Sequence, residues 1–358
     1  MKTSTFTYAS RYDGELDVKL DLHVPDSASA SSSAPLPVVV WFHGGGLIQG
    51  SRNKMPPHIQ RAVDRYGIAV VSPDYRLAPQ CRAPGILDDV SDLLAFLVDK
   101  LPASLPSSAP KLDLDRIVLT GSSAGGWLAL LLGLGMCPRT RPELLARVDA
   151  IAGIYPITTM DHPFFLEKRV PFLGPLANPP SEFAEYVDPD APATANTFED
   201  RKRSNFYMHA QREGIFPALL FTDQQRNDEG WLQKTDVPAF VRSSSEAQRK
   251  AWPAIYTIHG APDTAVDVDQ SRKLKAALDA VGVPSTYDEV PDKEHLWDGE
   301  PPEPFARLLL TTNGTPADLL PLPSSSLIDR TAEFEPQDDM PAFWNFVTGR
   351  FSGAPSKI

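Results

Sequence analysis

The chain has 358 residues, and its 42% hydrophobic and 22% charged residues are the proportions of a soluble globular protein, which excludes an intrinsically disordered one. Its 34 basic and 46 acidic side chains give a net charge of −12, which disfavours nucleic acid and anionic membrane surfaces as partners. The two cysteines, Cys81 and Cys137, exclude a disulfide framework, and no cluster has metal-ligand spacing, so we expect no metal and no cofactor.

Two further features of the composition bear on location and on loops. The longest apolar run, Trp127 to Gly135, is about half the length of a membrane span, so we expect no span. The first ten residues contain no apolar leader segment, and we therefore expect a cytoplasmic protein. The 36 prolines, roughly twice the average usage, cluster outside the periodic segments and predict long, stiffened loops.

In chain order, the first periodic segments are residues 4–10 and 15–24, whose polar and apolar residues alternate as in half-buried strands. The low-complexity stretch 26–35 then predicts a mobile loop. Continuous apolar runs, typical of strands covered on both faces, follow at residues 37–42, 67–75, 116–121, 150–156 and 254–260. Apolar stripes at helical spacing predict helices at 87–101 and 271–282. This alternation predicts an α/β fold with a mostly parallel sheet.

About a hundred residues separate the last two of these strands, which is too long for an ordinary crossover. Twelve aromatic residues lie between positions 160 and 240. We interpret 157–250 as an apolar cap or lid inserted into a core formed by 1–156 and 251–358, with a second independent domain or an oligomer interface as alternatives. A second insertion at about 300–338 is predicted to precede a final helix near 340–348.

The strongest local signal is Gly-Ser-Ser-Ala-Gly at 121–125, which follows an apolar strand and leads into the segment GGWLALLLGLG. This is the G-x-S-x-G pattern in its required context of strand, tight turn and helix. The flanking glycines allow the strand and helix backbones to approach closely, and they let the middle serine take a strained conformation with its hydroxyl exposed. We therefore interpret Ser123 as the nucleophile, with an ordinary Gly/Ser turn as the alternative.

A second glycine-rich motif, His43-Gly44-Gly45-Gly46, directly follows the apolar run 37–42. Glycines after a buried strand expose backbone N–H groups to a cavity, and an acyl-transfer site needs two or three such donors for its oxyanion. A phosphate-binding loop is disfavoured, because no Gly-Lys-Ser/Thr follows and the spacing is not G-x-G-x-x-G. We expect the three glycines to form an oxyanion hole and His43 to hold the loop by hydrogen bonds.

A serine nucleophile needs a base, and the base needs an orienting carboxylate. In the chain order that goes with G-x-S-x-G, the acid precedes the histidine and both follow the serine. We pair Asp263 with His295, because each lies just past the carboxyl end of a predicted strand, where an open parallel sheet keeps its site. His259 precedes every acid of its own loop and stays an alternative base.

Four charged residues have less specific interpretations. Asp267 and Asp269 open the helix predicted near 271–282, so they fit N-terminal helix charges better than catalytic acids, although both stay alternatives. Asp74 and Arg76 follow another strand and could bind substrate. We favour an ion pair that fixes the loop near the serine.

Five motifs together resemble the α/β-hydrolases of the hormone-sensitive-lipase-like group: HGGG at 43–46, DYRLAP at 74–79, GSSAGG at 121–126, HGAPDTAV at 259–266 and EHLWD at 294–298. The resemblance implies an eight-stranded α/β-hydrolase sheet with a cap. It implies Ser123 as nucleophile, Asp263 as acid and His295 as base. The oxyanion hole that it implies consists of the backbone N–H groups of Gly44, Gly45, Gly46 and Ala124.

The chain departs from that family pattern in two places. Only 42 residues precede HGGG, so the cap must come mainly from about 157–250. The residue after YRLAP, often Glu in the family, is Gln80. The many prolines and long insertions resemble fungal members of the fold.

We expect a serine carboxylester hydrolase that acts through an acyl-enzyme on small or medium hydrophobic esters or lactones. Five residues near the serine could line its pocket, with core packing as the alternative: Leu47, Ile48, Trp127, Tyr155 and Trp297. The expected partner is the small-molecule substrate, and a homodimer stays open. Two other functions remain: an acyl-transfer or cyclisation enzyme of a specialised-metabolite pathway, and a non-catalytic ligand-binding protein, which predicts a broken triad.

Overall fold

The computed structural model describes residues 1–30, 34–200, 202–299 and 340–352. Its strands are β1 (Lys2–Arg11), β2 (Leu16–Val24), β3 (Leu36–Phe42), β4 (Ala69–Pro73), β5 (Leu112–Ser122), β6 (Val148–Ile154), β7 (Ala254–Gly260) and β8 (Ser285–Val290). They form an eight-stranded sheet in the order β1-β2-β4-β3-β5-β6-β7-β8. Only the two pairings that involve β2 are antiparallel, so the predicted α/β class with a mostly parallel sheet is confirmed.

The central strand β3 shows why its sequence is apolar without interruption. Val38, Val40 and Phe42 face one side of the sheet and pack in the larger core, whereas Val39 and Trp41 face the other side and pack in a second core. All five side chains are buried. A strand covered on both faces therefore needs apolar residues at every position, as the sequence predicts.

Helices cover both faces of this sheet. Those outside the β6–β7 connection are α1 (Pro57–Tyr66), α2 (Ala83–Asp99), α3 (Leu101–Ser104), α4 (Ala124–Gly133), α5 (Pro142–Leu145), α14 (Asp269–Ala280) and α15 (Pro341–Gly349). Every residue of α4 is buried, which explains a segment that is apolar all round. The sequence analysis did not predict α1, whereas α15 confirms the predicted final helix. The predicted insertion at 300–338 lies outside the described residues.

The β6–β7 connection, called the insertion below (157–250), consists of short helices. They are α6 (Pro163–Leu166), α7 (Ala184–Val187), α8 (Lys202–Glu213), α9 (Phe216–Leu220), α10 (Asp223–Asn227), α11 (Trp231–Lys234), α12 (Val237–Ser243) and α13 (Glu246–Lys250). Proline lies in the first turn of α6, α9 and α12, where its missing N–H has no partner to lose. The prediction that prolines mark loops is therefore wrong at these positions.

Hydrogen bonds tie the insertion to the loop that follows β3. Thr197 and Gly50 exchange two of them, at 2.8 Å and 3.0 Å. Arg203 donates to the carbonyl oxygen of Ile48 at 2.8 Å. The Asn196 amide donates to both carboxylate oxygens of Asp74 at 3.0 Å. One face of the insertion is thus fixed to the core by polar contacts.

Gln80, the departure from the family pattern, fits its surroundings as an amide. Its Nε2 donates to the carbonyl oxygens of Asp188 at 2.8 Å and Tyr186 at 3.3 Å, and its Oε1 accepts from Arg203 at 2.8 Å. A glutamate could accept from the guanidinium, but it could not donate to the two carbonyls. The insertion therefore selects glutamine here.

Asp74 and Arg76 are both ion-paired, although not with each other. Arg52 pairs with Asp74. Arg76 binds both carboxylate oxygens of Asp89 on α2, each at 2.8 Å. Arg11, at the end of β1, donates to the same carboxylate at 2.8 Å. Asp89 thus joins the edge strand and the loop after β4 to one helix.

No helix among the described residues is long and apolar enough to cross a membrane.

The Asp89 cluster yields a stability prediction. We expect Asp89→Ala to lower the free energy of unfolding by about 3–5 kcal/mol in urea denaturation, because it leaves two largely buried guanidinium groups without their shared partner. The matched control is Asp92→Ala, whose carboxylate is 27% exposed and contacts Arg11 at 2.5 Å. We expect less than about 1 kcal/mol there. Equal losses in the two variants would contradict the central role of Asp89.

Candidate active site

The turn between β5 and α4 holds Ser123 in a strained conformation. Its backbone has φ +59° and ψ −120°, where residues with a side chain are seldom found. Glycines allow the turn, because a Cβ on Gly125 would lie 2.0 Å from the carbonyl oxygen of Phe42 and one on Gly121 would lie 2.4 Å from the carbonyl carbon of Gly125. The segment therefore forms the strand, turn and helix that its pattern predicts.

The glycine loop after β3 lies directly against this serine. A Cβ on Gly44 would lie 3.3 Å from the Cβ of Ser123. Gly45 and Gly46 have φ values of +103° and +64°, which glycine adopts freely. Within the described ranges, no residue accepts a hydrogen bond from the N–H of Gly44, Gly45, Gly46 or Ala124. These donors are available to an anion beside the serine.

His43 holds the glycine loop in place. Its Nδ1 lies 2.8 Å from the carbonyl oxygen of Gly44, and its ring stacks on Tyr75 with centroids 4.1 Å apart. The Tyr75 hydroxyl donates to the carbonyl oxygen of His43 at 2.7 Å. Burial lowers the pKa of His43, which favours the neutral imidazole. These contacts agree with the loop-holding role expected of it.

Asp263 and His295 form a buried pair at the carboxyl ends of β7 and β8. His295 Nδ1 lies 2.7 Å from Asp263 Oδ2. The carboxylate can only accept, so Nδ1 carries the proton and Nε2 keeps a lone pair. The N–H groups of Ala265 and Val266 donate to Oδ1 at 2.8 Å each. Burial alone would raise the pKa of Asp263, but His295 and His259 outweigh it and hold that pKa well below its usual range.

The alternative base His259 has both ring nitrogens engaged. Its Nδ1 lies 2.8 Å from Ser271 Oγ, and its Nε2 lies 3.0 Å from the carbonyl oxygen of Val266. The same Nε2 is 3.3 Å from Asp263 Oδ2. The side chain is fully buried, so it supports the carboxylate and has no nitrogen free for a serine proton.

The alternative acids lie at the start of α14, as their helix-charge interpretation predicts. Asp267 accepts from the N–H of Asp269 at 2.9 Å, and Asp269 pairs with Lys273 at 3.3 Å.

Glu294 joins the two loops that carry the pair, a role that sequence reasoning missed. It accepts from the N–H of Thr264 at 2.6 Å and from the N–H of its neighbour His295 at 2.8 Å. The Thr264 hydroxyl adds a third hydrogen bond at 3.0 Å. The sequence did contain a signal for this role, because Glu294 directly precedes His295 in the EHLWD motif.

The structure places the five predicted pocket residues in or beside the two cores. Leu47, Ile48 and Trp127 belong to the larger core, and the indole of Trp127 donates to the carbonyl oxygen of Thr235 in the insertion at 3.1 Å. Tyr155 and Trp297 pack with the second core. Of these, Tyr155 also packs against the candidate base, its ring centroid 4.3 Å from that of His295.

An aromatic wall from the insertion, formed by Phe172, Tyr207 and Phe216, extends from the histidine to the glycine loop. The Phe172 ring lies 5.8 Å from that of His295 and 6.0 Å from that of Tyr207. Tyr207 lies 5.2 Å from Phe216. A Cβ on Gly46 would lie 2.6 Å from Phe216 and 3.0 Å from Tyr207. The aromatic density of 160–240 signalled such a wall without identifying its members.

Comparisons with known proteins agree with this architecture. The chain is 28% identical over 333 residues to a non-reducing polyketide synthase of Aspergillus calidoustus, a match that covers 80% of this chain and 13% of that protein. The chain thus spans about an eighth of the length of that relative. It is 34% identical over 155 residues to carboxylesterase 20 of Arabidopsis thaliana, covering 41% of this chain and 43% of the relative.

Solved structures share the fold. A fungal esterase of Rhizomucor miehei superposes with a TM-score of 0.55 at 16% identity, over 86% of this chain and 81% of that one. An esterase of Pyrobaculum calidifontis superposes with a TM-score of 0.52 at 20% identity, over 83% of this chain and 78% of that one. The sequence profile described as the alpha/beta hydrolase fold matches residues 39–298. The chain therefore belongs to the α/β-hydrolase fold family.

Proposed function

We propose that the protein is a serine carboxylester hydrolase with Ser123 as nucleophile, His295 as base and Asp263 as orienting acid. The observation that carries the proposal is the buried contact of 2.7 Å between His295 Nδ1 and Asp263 Oδ2. It leaves Nε2 of the neutral imidazole able to accept a proton. It lies at the carboxyl edge of the sheet, the edge that also carries the strained turn of Ser123. The presence of all three residue types at this edge supports an enzyme over a purely ligand-binding protein.

In the proposed reaction, His295 Nε2 accepts the Ser123 proton while the serine oxygen attacks the ester carbonyl. The N–H groups of Gly44, Gly45, Gly46 and Ala124 stabilise the oxyanion. The imidazolium then protonates the leaving alcohol, and the same imidazole activates the water that releases the acid. Asp263 keeps the imidazole in its productive tautomer throughout.

We propose that the insertion acts as the cap over this site and that its aromatic wall contacts an apolar group of the ester or lactone. Tyr207 and Phe216, which are buried, and Phe172, which is half-buried, supply flat aromatic surface beside both the candidate base and the glycine loop. Such surface favours hydrophobic acyl or alcohol groups of small or medium size. The cytoplasmic location and a homodimer stay predictions.

A second candidate function is acyl transfer or cyclisation in a specialised-metabolite pathway. The similarity to non-reducing polyketide synthases over 80% of this chain favours it. Water and an internal hydroxyl compete for the same acyl-enzyme, so product analysis on a hydroxyacyl thioester separates the two. Free acid supports the hydrolase, and lactone without free acid supports the cyclase.

The nucleophile is tested with p-nitrophenyl esters from acetate to decanoate. We expect Ser123→Ala to reduce turnover by at least about 10³-fold, because no other group can form the acyl-enzyme. The control is Ser91→Ala, a buried serine whose hydroxyl bonds to the carbonyl oxygen of Leu87 on α2 at 2.8 Å. Retention of turnover by the Ser123 variant would remove the serine-hydrolase proposal.

The two histidines on Asp263 are ranked by their alanine variants. We expect His295→Ala to reduce kcat by about 10⁴-fold, because it removes the only proton acceptor, and His259→Ala to cost less than about 10²-fold. Circular dichroism checks that each variant folds. The opposite ranking would transfer the base role to His259.

The aromatic wall is tested by comparing esters of different acyl size. We expect Phe172→Ala to reduce kcat/KM for a benzoate ester by about tenfold, and for acetate by less than about twofold, because only the larger acyl group reaches the ring. Phe198→Ala is the control, since Phe198 is a phenylalanine of the insertion that is 43% exposed. Equal losses for both esters would show that the wall does not set the preference.

A further inference from the structure

Another buried carboxylate lies three residues after the candidate base and contacts side chains from three separate segments of the chain. Asp298 is 5% exposed. Its Oδ2 accepts from the Ser122 hydroxyl at 3.0 Å and lies 3.5 Å from His58 Nε2 on α1. Its Oδ1 accepts from the Tyr155 hydroxyl. The mechanism proposed above assigns this carboxylate no role.

The protonation of His58 follows from its other contact. The indole N–H of Trp344, on α15, donates to His58 Nδ1 at 3.2 Å. An indole nitrogen is a donor only, so His58 Nδ1 keeps its lone pair and Nε2 carries the proton. That proton is on the nitrogen that faces Asp298. Trp344 thus orients the His58 ring so that Nε2 faces the carboxylate at 3.5 Å, within ion-pair range but outside hydrogen-bond geometry.

The partners of Asp298 lie next to both reacting groups of the proposed mechanism. Ser122 immediately precedes the nucleophile in the strained turn. Tyr155 packs its ring against His295, with centroids 4.3 Å apart, and itself has a left-handed backbone with φ +36°. A tyrosine in that conformation is kept there by its contacts, of which the hydroxyl on Asp298 is one. Asp298 is therefore one hydrogen bond away from the turn that carries Ser123. It is connected to His295 by one hydrogen bond to Tyr155 and one ring contact.

Asp298 is an anion in the folded protein. Burial would raise its pKa, but the donors His58, Tyr155 and Ser122 outweigh burial and lower that pKa. Within the described part of the chain, the titratable groups that contact His295 include Asp263 with His259 behind it, Glu294 on its backbone, and Tyr155. Asp298 thus adds a negative charge near the imidazole, and none of the contacts just named supplies a lysine or arginine that would compensate it.

We propose that Asp298 is a positioning residue of the reaction: held by His58, it orients Tyr155 against His295 and anchors Ser122 beneath the nucleophile, while its charge favours the imidazolium. This inference rests on the proposed serine-hydrolase function. In this proposal Ser122, Tyr155 and His58 act together with the carboxylate, and Tyr155 also stays a predicted pocket residue.

The test is Asp298→Asn, assayed with the best p-nitrophenyl ester between pH 5 and 9. We expect kcat to fall by about 10- to 100-fold with KM within about twofold, and the acid limb of the profile to shift to lower pH by at least about 0.5 unit. The physical reason is that the amide keeps the shape but removes the charge that stabilises the imidazolium. An unchanged pH profile of kcat would overturn the proposal. So would a loss of folded protein, measured by urea denaturation, that is large enough to account for the fall in kcat.

Two further variants keep the outcome interpretable. Tyr155→Phe leaves the charge in place, so we expect a smaller fall in kcat, about three- to tenfold, with the acid limb unmoved. Asp149→Asn removes another buried carboxylate, which pairs with Arg350 at 2.9 Å at the opposite end of β6, and we expect kcat and the profile to stay as in the wild type. An equal shift of the profile in the Asp149 variant would show a general charge effect and overturn the proposal.

A readout without turnover separates this inference from the proposed function. The ¹⁵N NMR shifts of His58 should report protonated Nε2 and unprotonated Nδ1 in the wild type, with this tautomer lost in Trp344→Phe. Absence of turnover in the wild type together with that tautomer would refute the hydrolase proposal, while the contacts of Asp298 with its neighbours would still stand. The opposite tautomer would refute the network itself.

Discussion

The close approach of three backbones at the end of β5 is the constraint on which the site depends. Gly125 and Gly121 have no room for a Cβ beside Phe42 and α4, and only this packing can hold the serine at φ +59°. The same contact brings the glycine loop of β3 within van der Waals distance of the serine. A larger residue at either glycine would displace Ser123 and the neighbouring glycine loop together. The strain is therefore supported by the sheet itself, whose central strands are buried on both faces.

Two carboxylates, each with a histidine behind it, hold the loops around this turn. Asp263 lies between His295 and the fully engaged His259, and Asp298 lies between Tyr155 and a His58 that Trp344 orients. Buried carboxylates are unfavourable unless every lone pair finds a donor, and here the donors come from different elements. Each carboxylate consequently links strand ends, helices and loops that are distant in sequence.

The sequence allowed the sheet to be predicted and the three candidate residues to be placed at strand ends, because those signals are local. Continuous apolar runs mark β3 to β7, and Ser123, Asp263 and His295 each follow a strand end that the parallel topology brings to one edge. The partners of Asp298 and the aromatic wall could not be predicted in this way. No regular sequence spacing connects the members of either group, which are positions 58, 155 and 298 in the first and 46, 172 and 207 in the second. Only the folded chain brings them together. Several prolines assigned to loops begin helices, since the sequence alone does not distinguish a rigid turn from a first helical turn.

The hydrogen bonds between Thr197 and Gly50, and between Arg203 and Ile48, have a consequence for protein engineering. The segment that supplies the aromatic wall is fastened to the loop that supplies the proposed oxyanion-binding amides. Grafting the insertion of a relative onto this sheet would therefore also alter the geometry around the oxyanion. A chimera with a new insertion needs residues 47–50 exchanged together with their partners Thr197 and Arg203, so under the proposed function substrate choice and catalytic competence are not separable modules.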